Sequence, residues 1–266
     1  MIQISELNTY PLKSARGISL QEAFVDHCGI KHDRSFLLVD KNGLAITQRD
    51  YARLALVSPQ ILDEERVLFR APEMPELIVT RTFSAPNFSA KVWNDQIDVS
   101  EQSEEASVWF SRFLDFESRL VCMAKNARRP VDPDYATGEQ ELAFADGFPF
   151  LLITQKSLDD LNSRLEVPVP MNRFRPNIVL SGAEPFAEDK WKKIRISGIE
   201  FDLVKPCARC VMITIDQDFA LLAKEPMRTL STYRKVGNKV LFGQNLVHHS
   251  SGKLSIGQTV EILDSI

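Results

Sequence analysis

The sequence lacks the features that mark several common kinds of protein. Its 266 residues include only four cysteines, and its eleven glycines are scattered. Four cysteines in a chain of this length argue against a disulfide framework. No GxGxxG follows any candidate strand, which argues against a dinucleotide-binding fingerprint. The longest apolar runs, such as Phe148 to Ile153, are far shorter than the roughly 20 residues of a membrane-spanning helix.

Charge and the N-terminal segment exclude further classes. The formal net charge is −4, so the chain lacks the global basic field of a nucleic-acid-binding protein. The opening residues, MIQISELNTYPLKS, contain no basic region followed by an apolar core, as a signal peptide requires. We therefore expect a cytoplasmic protein that binds neither nucleic acid nor a membrane.

What is present is ordinary for a globular protein, with 44% hydrophobic and 26% charged residues. The length favours two domains. A boundary near residues 116–120 predicts one domain over residues 1–118 and a second over residues 119–266. The polar segment 125–141, with two prolines, predicts a long surface loop.

Short runs rich in Val, Ile and Phe, bounded by Gly, Pro, Asn or Asp, dominate the chain. They predict strands at Ser35–Val39, Val92–Val99, Arg119–Met123, Asn177–Ser181, Ile199–Val204, Val211–Ile215 and Thr259–Leu263. Long helices do not alternate regularly with these runs, which argues against a doubly wound parallel sheet. The expected fold is mainly β with a few helices, and barrel-like.

Two helices are predicted. In Glu104–Leu114 the apolar residues fall on one face, with Ser103 as N-cap and acids in the first turn. In Gln155–Leu165, which follows Thr154, three leucines share a face.

The segment Pro206–Cys210 (PCARC) lies between two predicted strands and leaves four interpretations open. A structural zinc site needs a second ligand pair, and neither the other cysteines nor the histidines have complementary spacing: His27, His32, His248 and His249. A thioredoxin-type dithiol usually opens a helix, whereas a strand is expected here. The pair can also simply pack in a turn. The fourth interpretation is a single thiolate that binds a soft metal, with Arg209 beside it. Cys28 and Cys122 are expected to be inert core residues.

Several cations lie beside predicted strand ends or turns: Lys13, Arg16, Arg34, Arg49, Arg173 and Arg175. Any one of them alone is explained by solvation or an ion pair. As a group in an acidic protein they favour a pocket for a phosphorylated ligand, because guanidinium binds phosphate bidentately.

The segments YPLKSARG, GIKHDRSFLLVD, NRFRPNIVLSG, KPCARCVMITID, LFGQNL and GKLSIGQTVEIL occur in this order over nearly the whole chain. In combination they resemble the MOSC proteins of the amidoxime-reducing type. That resemblance implies two β-rich units, an N-terminal MOSC β-barrel domain and a C-terminal MOSC β-barrel, with a cofactor between them.

The resemblance also implies a pyranopterin molybdenum cofactor whose metal is bound by the second cysteine of the CxRC segment, Cys210. Lys13, Arg34, Arg175 and Asn177 match family positions that hold the pterin and its phosphate, and Arg209 lies beside the metal ligand. Asp146 lies in ADGFPFLLIT, which is similar to the family segment SDxSPFLIL, with Gly147 and Phe148 in place of hydroxyl-bearing residues.

The expected activity is reduction of N-hydroxylated compounds, such as hydroxylamino-purines or amidoximes, to amines by a molybdenum-dependent oxidoreductase. Bacterial members often continue into a 2Fe–2S ferredoxin domain, and no cysteine cluster for such a centre remains here. Electrons are therefore expected from a separate donor, such as a ferredoxin or flavoprotein reductase.

Two rival functions stay open. One is a molybdenum-cofactor or sulfur carrier without turnover, because MOSC domains resemble the C-terminal part of molybdenum-cofactor sulfurases. Pyridoxal phosphate binding enters as a family-level possibility on the same ground, although the sequence has no pyridoxal-phosphate domain. The other rival is a redox or zinc dithiol protein.

Overall fold

The computed structural model describes residues 1–84, 86, 88–136 and 140–266. Strands dominate it, and the described residues form three α-helices: α1 (Glu104–Leu114), α2 (Gln155–Asn162) and α3 (Met227–Tyr233). The strands are β1 (Gln3–Thr9), β2 (Ile18–Leu20), β3 (Glu22–Asp26), β4 (Gly29–Ile30), β5 (Leu37–Val39), β6 (Ser58–Ile61), β7 (Arg66–Arg70), β8 (Leu77–Thr80), β9 (Phe88–Val92), β10 (Asp95–Glu101), β11 (Arg119–Met123), β12 (Phe150–Thr154), β13 (Ile178–Ser181), β14 (Trp191–Ile196), β15 (Ile199–Ala208), β16 (Lys235–Val236), β17 (Lys239–His248), β18 (Gly252–Ser255) and β19 (Val260–Ser265).

The strands form one large sheet and three small ones. The large sheet has the order β19-β14-β15-β17-β12-β13-β1-β2, with β16 paired to β17. The small sheets are β5-β11-β10-β9, β6-β7-β8 and β18-β3-β4. This confirms the prediction of a mainly β fold with two β-rich units. Because β1 and β2 pair into a sheet built otherwise from residue 150 onward, the two halves of the chain are joined by backbone hydrogen bonds.

Each half has its own apolar core. Phe36, Phe69 and Phe110 are fully buried in the first half, where α1 covers the sheets. Phe150 and Phe201 lie in the core of the large sheet, and their rings meet at right angles with centroids 5.3 Å apart. Burial of such a side chain stabilises the fold by about 1.5–3 kcal/mol. The domain boundary between residues 118 and 119 stays a prediction.

Helix α1 confirms its sequence prediction at both ends. Ser103 caps it, since the Ser103 hydroxyl accepts a hydrogen bond from the Ala106 amide at 3.1 Å. Helix α2 also begins where predicted but ends at Asn162, three residues early. Thr154 does not cap α2 with its side chain, because its hydroxyl donates to the buried Glu188 carboxylate at 2.8 Å.

Two predicted strands are wrong. Val92–Val99 is a hairpin rather than one strand: Val92 pairs with Asp95, and Trp93 and Asn94 form the turn. Asn and Asp are common turn residues. The β-forming residues on both sides nevertheless favoured one continuous strand, so the turn was not predicted. Val211–Ile215 begins with a 3-10 helix at Val211–Thr214. Its β-branched residues favour a strand, yet the described residues give this segment only a single bridge, between Ile215 and Leu222.

The two cysteines that were predicted to be inert core residues differ in their burial. Cys122 is buried as expected, at 1% exposure. Cys28 is instead half-buried in the turn between β3 and β4, beside Asp26 and His27. The segment 125–141 has no helix or named strand among its described residues, and residues 137–139 lie outside the described part of the chain.

Candidate active site

An open cleft of about 810 Å³, partly continuous with solvent, lies at one end of the large sheet. Here β1 and β15 end, and β12 and β13 begin. We call it the cationic cleft because its walls carry Lys13, Arg34, Arg49, Arg173, Arg175 and Arg209. All seven residues predicted for the site line it: Cys210, Lys13, Arg34, Asp146, Arg175, Asn177 and Arg209. The structure therefore brings together positions up to almost 200 residues apart, while their roles stay predictions.

Backbone pairing places Lys13 and Arg34 side by side. The Lys13 amide donates to the Phe36 carbonyl at 2.9 Å, and the Arg34 amide donates to the Tyr10 carbonyl at 2.8 Å. The Phe144 amide donates to the Arg34 carbonyl at 2.9 Å and holds the next loop against them. This loop delivers Asp146 to the cleft.

Lys13 and Asp146 form an ion pair at the mouth of the cleft. The Lys13 Nζ donates to Asp146 Oδ1 at 2.5 Å and to the Phe144 carbonyl at 2.7 Å. Burial lowers the pKa of Lys13, and Asp146 opposes part of that shift. Burial alone would raise the pKa of Asp146, but Lys13, Arg49 and the Trp93 indole hold it well below its usual range. Asp146 is therefore ionised at neutral pH.

Arg34 is fixed from two sides. It donates to the buried Asp33 carboxylate, and its Nη1 donates to Asn177 Oδ1 at 3.1 Å. Asn177 is 1% exposed and also binds backbone, accepting from the Leu151 amide at 3.2 Å. Asn177 thus positions Arg34 and the start of β13 rather than offering a free group.

Arg175 lies next to Arg34 with the Tyr10 ring beside both. The two guanidinium carbons are 4.2 Å (Arg175) and 4.6 Å (Arg34) from the Tyr10 ring centroid. Burial lowers the pKa of Arg175 to about 10, an effect that Tyr10 opposes and Arg34 reinforces. Like charges in this arrangement are stabilised by a bound anion.

Three residues that line the cleft have a strained backbone. Ser14, Arg34 and Arg175 have φ of 68°, 46° and 56°. Residues other than glycine adopt this left-handed region rarely and at a cost of about 1–3 kcal/mol each. Such strain clusters at binding sites, where it fixes the direction of side chains.

Cys207 and Cys210 flank Arg209 in the chain. Cys207 belongs to the end of β15 and packs against apolar residues. The Arg209 Nη1 donates to Cys207 Sγ at 3.0 Å, and Nη2 donates to the Phe174 carbonyl at 2.6 Å. Cys210 directly precedes the 3-10 helix Val211–Thr214, and both cysteines line the cleft. Cys207 is thus already engaged by Arg209.

Several guanidinium donors in the cleft have no acceptor among the described residues. They are the buried Nε atoms of Arg49, Arg173 and Arg209, together with Arg173 Nη1. Arg173 uses only Nη2, which donates to Asp216 at 2.6 Å. A buried donor without a partner costs about 1–3 kcal/mol. The cleft therefore suits an anionic ligand that carries several hydrogen-bond acceptors.

Sequence reasoning grouped Arg49 and Arg173 with the cations that favour a phosphate pocket, but it did not place them among the cofactor-binding residues, and it did not consider Trp93. Their signals were weak, since an arginine near a strand is usually paired or solvated. Trp93 was taken as part of a strand. Only the hairpin reveals it as a turn residue whose Nε1 donates to Asp146 Oδ1 at 3.0 Å.

Two domain families match the chain. Residues 1–117 match the MOSC N-terminal beta barrel domain, and residues 139–261 match the MOSC domain. None of the helices in the described residues has the length and apolar character needed to cross a bilayer.

Curated relatives match nearly the whole chain. Mitochondrial amidoxime-reducing component 1 of Mus musculus is 33% identical over 279 residues, covering 98% of this chain and 82% of that protein. The component 1 of Homo sapiens is 31% identical over 280 residues with the same coverages. Mitochondrial amidoxime reducing component 2 of Bos taurus is 33% identical over 275 residues, covering 99% and 80%. Identity at this level over such lengths identifies the family: the chain belongs to the MOSC proteins that include the mitochondrial amidoxime-reducing components.

Proposed function

We propose that this chain binds a pyranopterin molybdenum cofactor through the Cys210 thiolate and reduces N-hydroxylated compounds to amines. The observation that carries the proposal is the cationic cleft beside Cys210, with its unpartnered buried donors on Arg173 and Arg209. The names of the relatives, which are amidoxime-reducing components, support the reaction class.

The residues of the cleft fit this cofactor. Its walls carry six cations, and the carboxylates that pair with them are those of Asp33, Asp146 and Asp216. That excess of positive charge suits a phosphate, which carries a charge of about −1.5 to −2 at neutral pH. A thiolate is the soft ligand expected for the metal. Lys13, Arg34, Arg173, Arg175 and Arg209 would hold the pterin and its phosphate.

When bound, the cofactor supplies a metal centre that exchanges two electrons with the substrate. Cleavage of the N–O bond consumes these two electrons and two protons, and it yields the amine and water. Burial lowers the pKa of Lys13, and a lowered pKa favours release of a proton from its Nζ to the substrate oxygen. Asp146 stays ionised and orients Lys13, as its lowered pKa requires.

Electrons would come from a separate protein such as a ferredoxin or flavoprotein reductase. The chain has only two cysteines besides Cys207 and Cys210, too few for the usual four ligands of an iron–sulfur cluster. The cytoplasmic location stays a prediction, and the relatives are named as mitochondrial. The matched families give no support for pyridoxal phosphate binding.

The test is to purify the chain from a host that makes the cofactor, and to measure molybdenum and the fluorescence of oxidised pterin. We expect both near one per chain, with hydroxylamino-purine consumption driven by reduced viologen but not by NADH alone. Bound cofactor without turnover would indicate the carrier function instead. Zinc in place of molybdenum and pterin would refute the proposal in favour of a zinc or dithiol protein. Equal rates with NADH alone would show that the proposed electron path is wrong.

A further inference from the structure

A second pocket, of about 640 Å³, adjoins the cationic cleft and shares Lys13 and Arg49 with it. We call it the Trp93 pocket, because the indole of the β9–β10 hairpin turn forms part of its wall together with Thr47 and Lys91. Of the predicted site residues, only Lys13 lines this pocket.

Trp93 is held in an unusual state for a large aromatic residue. It is 56% exposed, although it is one of the most hydrophobic residue types. Its φ is 57°, a left-handed conformation that hairpin turns usually assign to Gly, Asn or Asp. A bulky residue that is both exposed and strained contributes little to the core. Its conformation therefore points to a contact with a ligand.

Two contacts fix the plane of the Trp93 ring. The Arg49 guanidinium carbon lies 4.5 Å from the ring centroid, over one face. The indole Nε1 donates to Asp146 Oδ1, the same oxygen that binds Lys13 Nζ. Since Arg49 covers one face and more than half of the residue is exposed, the opposite face is available for stacking. The ring is thus tied through Asp146 to the mouth of the cationic cleft.

We propose that the Trp93 pocket binds the ring of the substrate, so that planar aromatic N-hydroxylated compounds stack on Trp93 while their N–OH group lies in the cationic cleft. This inference rests on the proposed function and adds the substrate class. A flat aryl or purine ring gains from stacking on the indole, whereas a puckered saturated ring of the same size makes poorer contact.

The test uses a matched pair of substrates, benzamidoxime and cyclohexanecarboxamidoxime, with the cofactor-loaded enzyme and reduced viologen. Trp93→Phe keeps an aromatic ring but loses the N–H bond to Asp146, and Trp93→Leu loses both. Both variants place a residue other than glycine at the same positive φ, so they are matched in that backbone cost. Pterin content and melting temperature are measured in each.

We expect wild type and Trp93→Phe to prefer the aromatic substrate in kcat/KM, and Trp93→Leu to lose about tenfold on it, mostly in KM. The saturated substrate should change less than threefold. Calorimetry without an electron donor should give the same order for binding of the two amidoximes to the resting enzyme.

Equal losses on both substrates, or no loss on either, would overturn the inference. A fall in pterin content with Trp93→Leu would also overturn it, because the indole would then belong to the cofactor site. If wild type reduces neither amidoxime with viologen, the proposed function fails, and binding of the amidoximes to the resting enzyme still decides the role of Trp93.

Discussion

Two clefts of similar size in this protein each contain two cysteines, and their surroundings differ. The cationic cleft holds Cys207 and Cys210 among six basic side chains. The other, which we call the Cys28 cleft, encloses about 960 Å³ and holds Cys28 and Cys122.

The Cys28 cleft is lined by both acids and bases, among them Asp26, Glu141, Arg81 and Lys125. Burial, reinforced by Asp26 and Glu141, raises the pKa of Cys28 to about 12. Burial raises that of Cys122 to about 11. Cys28, Asp26 and His27 place three donor atoms within 4.8 Å of one another, as a metal ion requires, but a thiol with so high a pKa is a poor metal ligand at neutral pH. Burial is thus the main reason that both thiols of the Cys28 cleft resist ionisation, whereas Cys207 and Cys210 lie among basic side chains.

The largest expected effect comes from replacing the Cys210 sulfur in the cationic cleft by oxygen. Cys210→Ser should abolish N-reduction, by about a thousandfold or more, because the soft metal ligand is lost. The sulfur scatterer should also disappear from the molybdenum X-ray absorption spectrum. Cys207→Ser should keep both activity and spectrum. The opposite pattern would assign the metal to Cys207 instead.

Thiol alkylation should sharpen the comparison. At pH 8 the raised pKa leaves Cys28 about 10⁻⁴ ionised, so iodoacetamide should modify it about a thousandfold more slowly than free cysteine. The thiolate is the reacting form, and folding favours the thiol by raising the pKa. Because this pH range lies below the raised pKa, the thiolate fraction and the alkylation rate should rise about tenfold per pH unit from 7 to 10. Peptide mass spectrometry of cofactor-free protein should find Cys207 and Cys210 modified first. Early labelling of Cys28 would contradict the burial argument.

A smaller effect, on cofactor occupancy, is expected when a cation of the cationic cleft is replaced. Arg34→Gln should lower cofactor occupancy by about tenfold or more, since one charge-assisted contact to phosphate contributes about 1.5–3 kcal/mol. It also leaves the buried Asp33 carboxylate without its cation, so the melting temperature must be measured alongside. Arg34→Lys restores the charge and should recover part of the occupancy.

The matched control is Arg81→Gln, which removes a cation from the Cys28 cleft. Pterin content should stay at the wild-type level in this variant. Equal loss of pterin in the Arg34 and Arg81 variants would mean that the effect reports overall stability or net charge rather than the cationic cleft.

The smallest effect is expected for Cys28→Ser. Cys28 is half-buried in a turn, so the free energy of unfolding should change by less than about 1 kcal/mol. Urea unfolding and viologen-driven activity should both match wild type. A loss of activity in this variant would show that the Cys28 cleft has a function of its own.

The sequence determined the local features with strong physical signals. Helix α1 was predictable because its apolar stripe, its acids and the Ser103 cap agree. Strand β11 was predictable from its run of β-formers, and its bounds are those predicted. Five of the six cations grouped from the sequence line the cationic cleft, while Arg16 lines a different pocket. The Cys210 motif could also be read from the sequence.

Only the tertiary structure decided how these pieces act together. Cys207 and Cys210 are three residues apart, yet Arg209 engages Cys207 because pairing of β15 with β17 directs this segment. The turn at Trp93 depends on pairing of β9 with β10, which overrides the β-propensity of its neighbours. Lys13 and Asp146 meet across 133 residues through backbone bonds between loops. Residue types and local periodicity are properties of the sequence, whereas convergence of charges from distant loops requires contacts that no local pattern encodes.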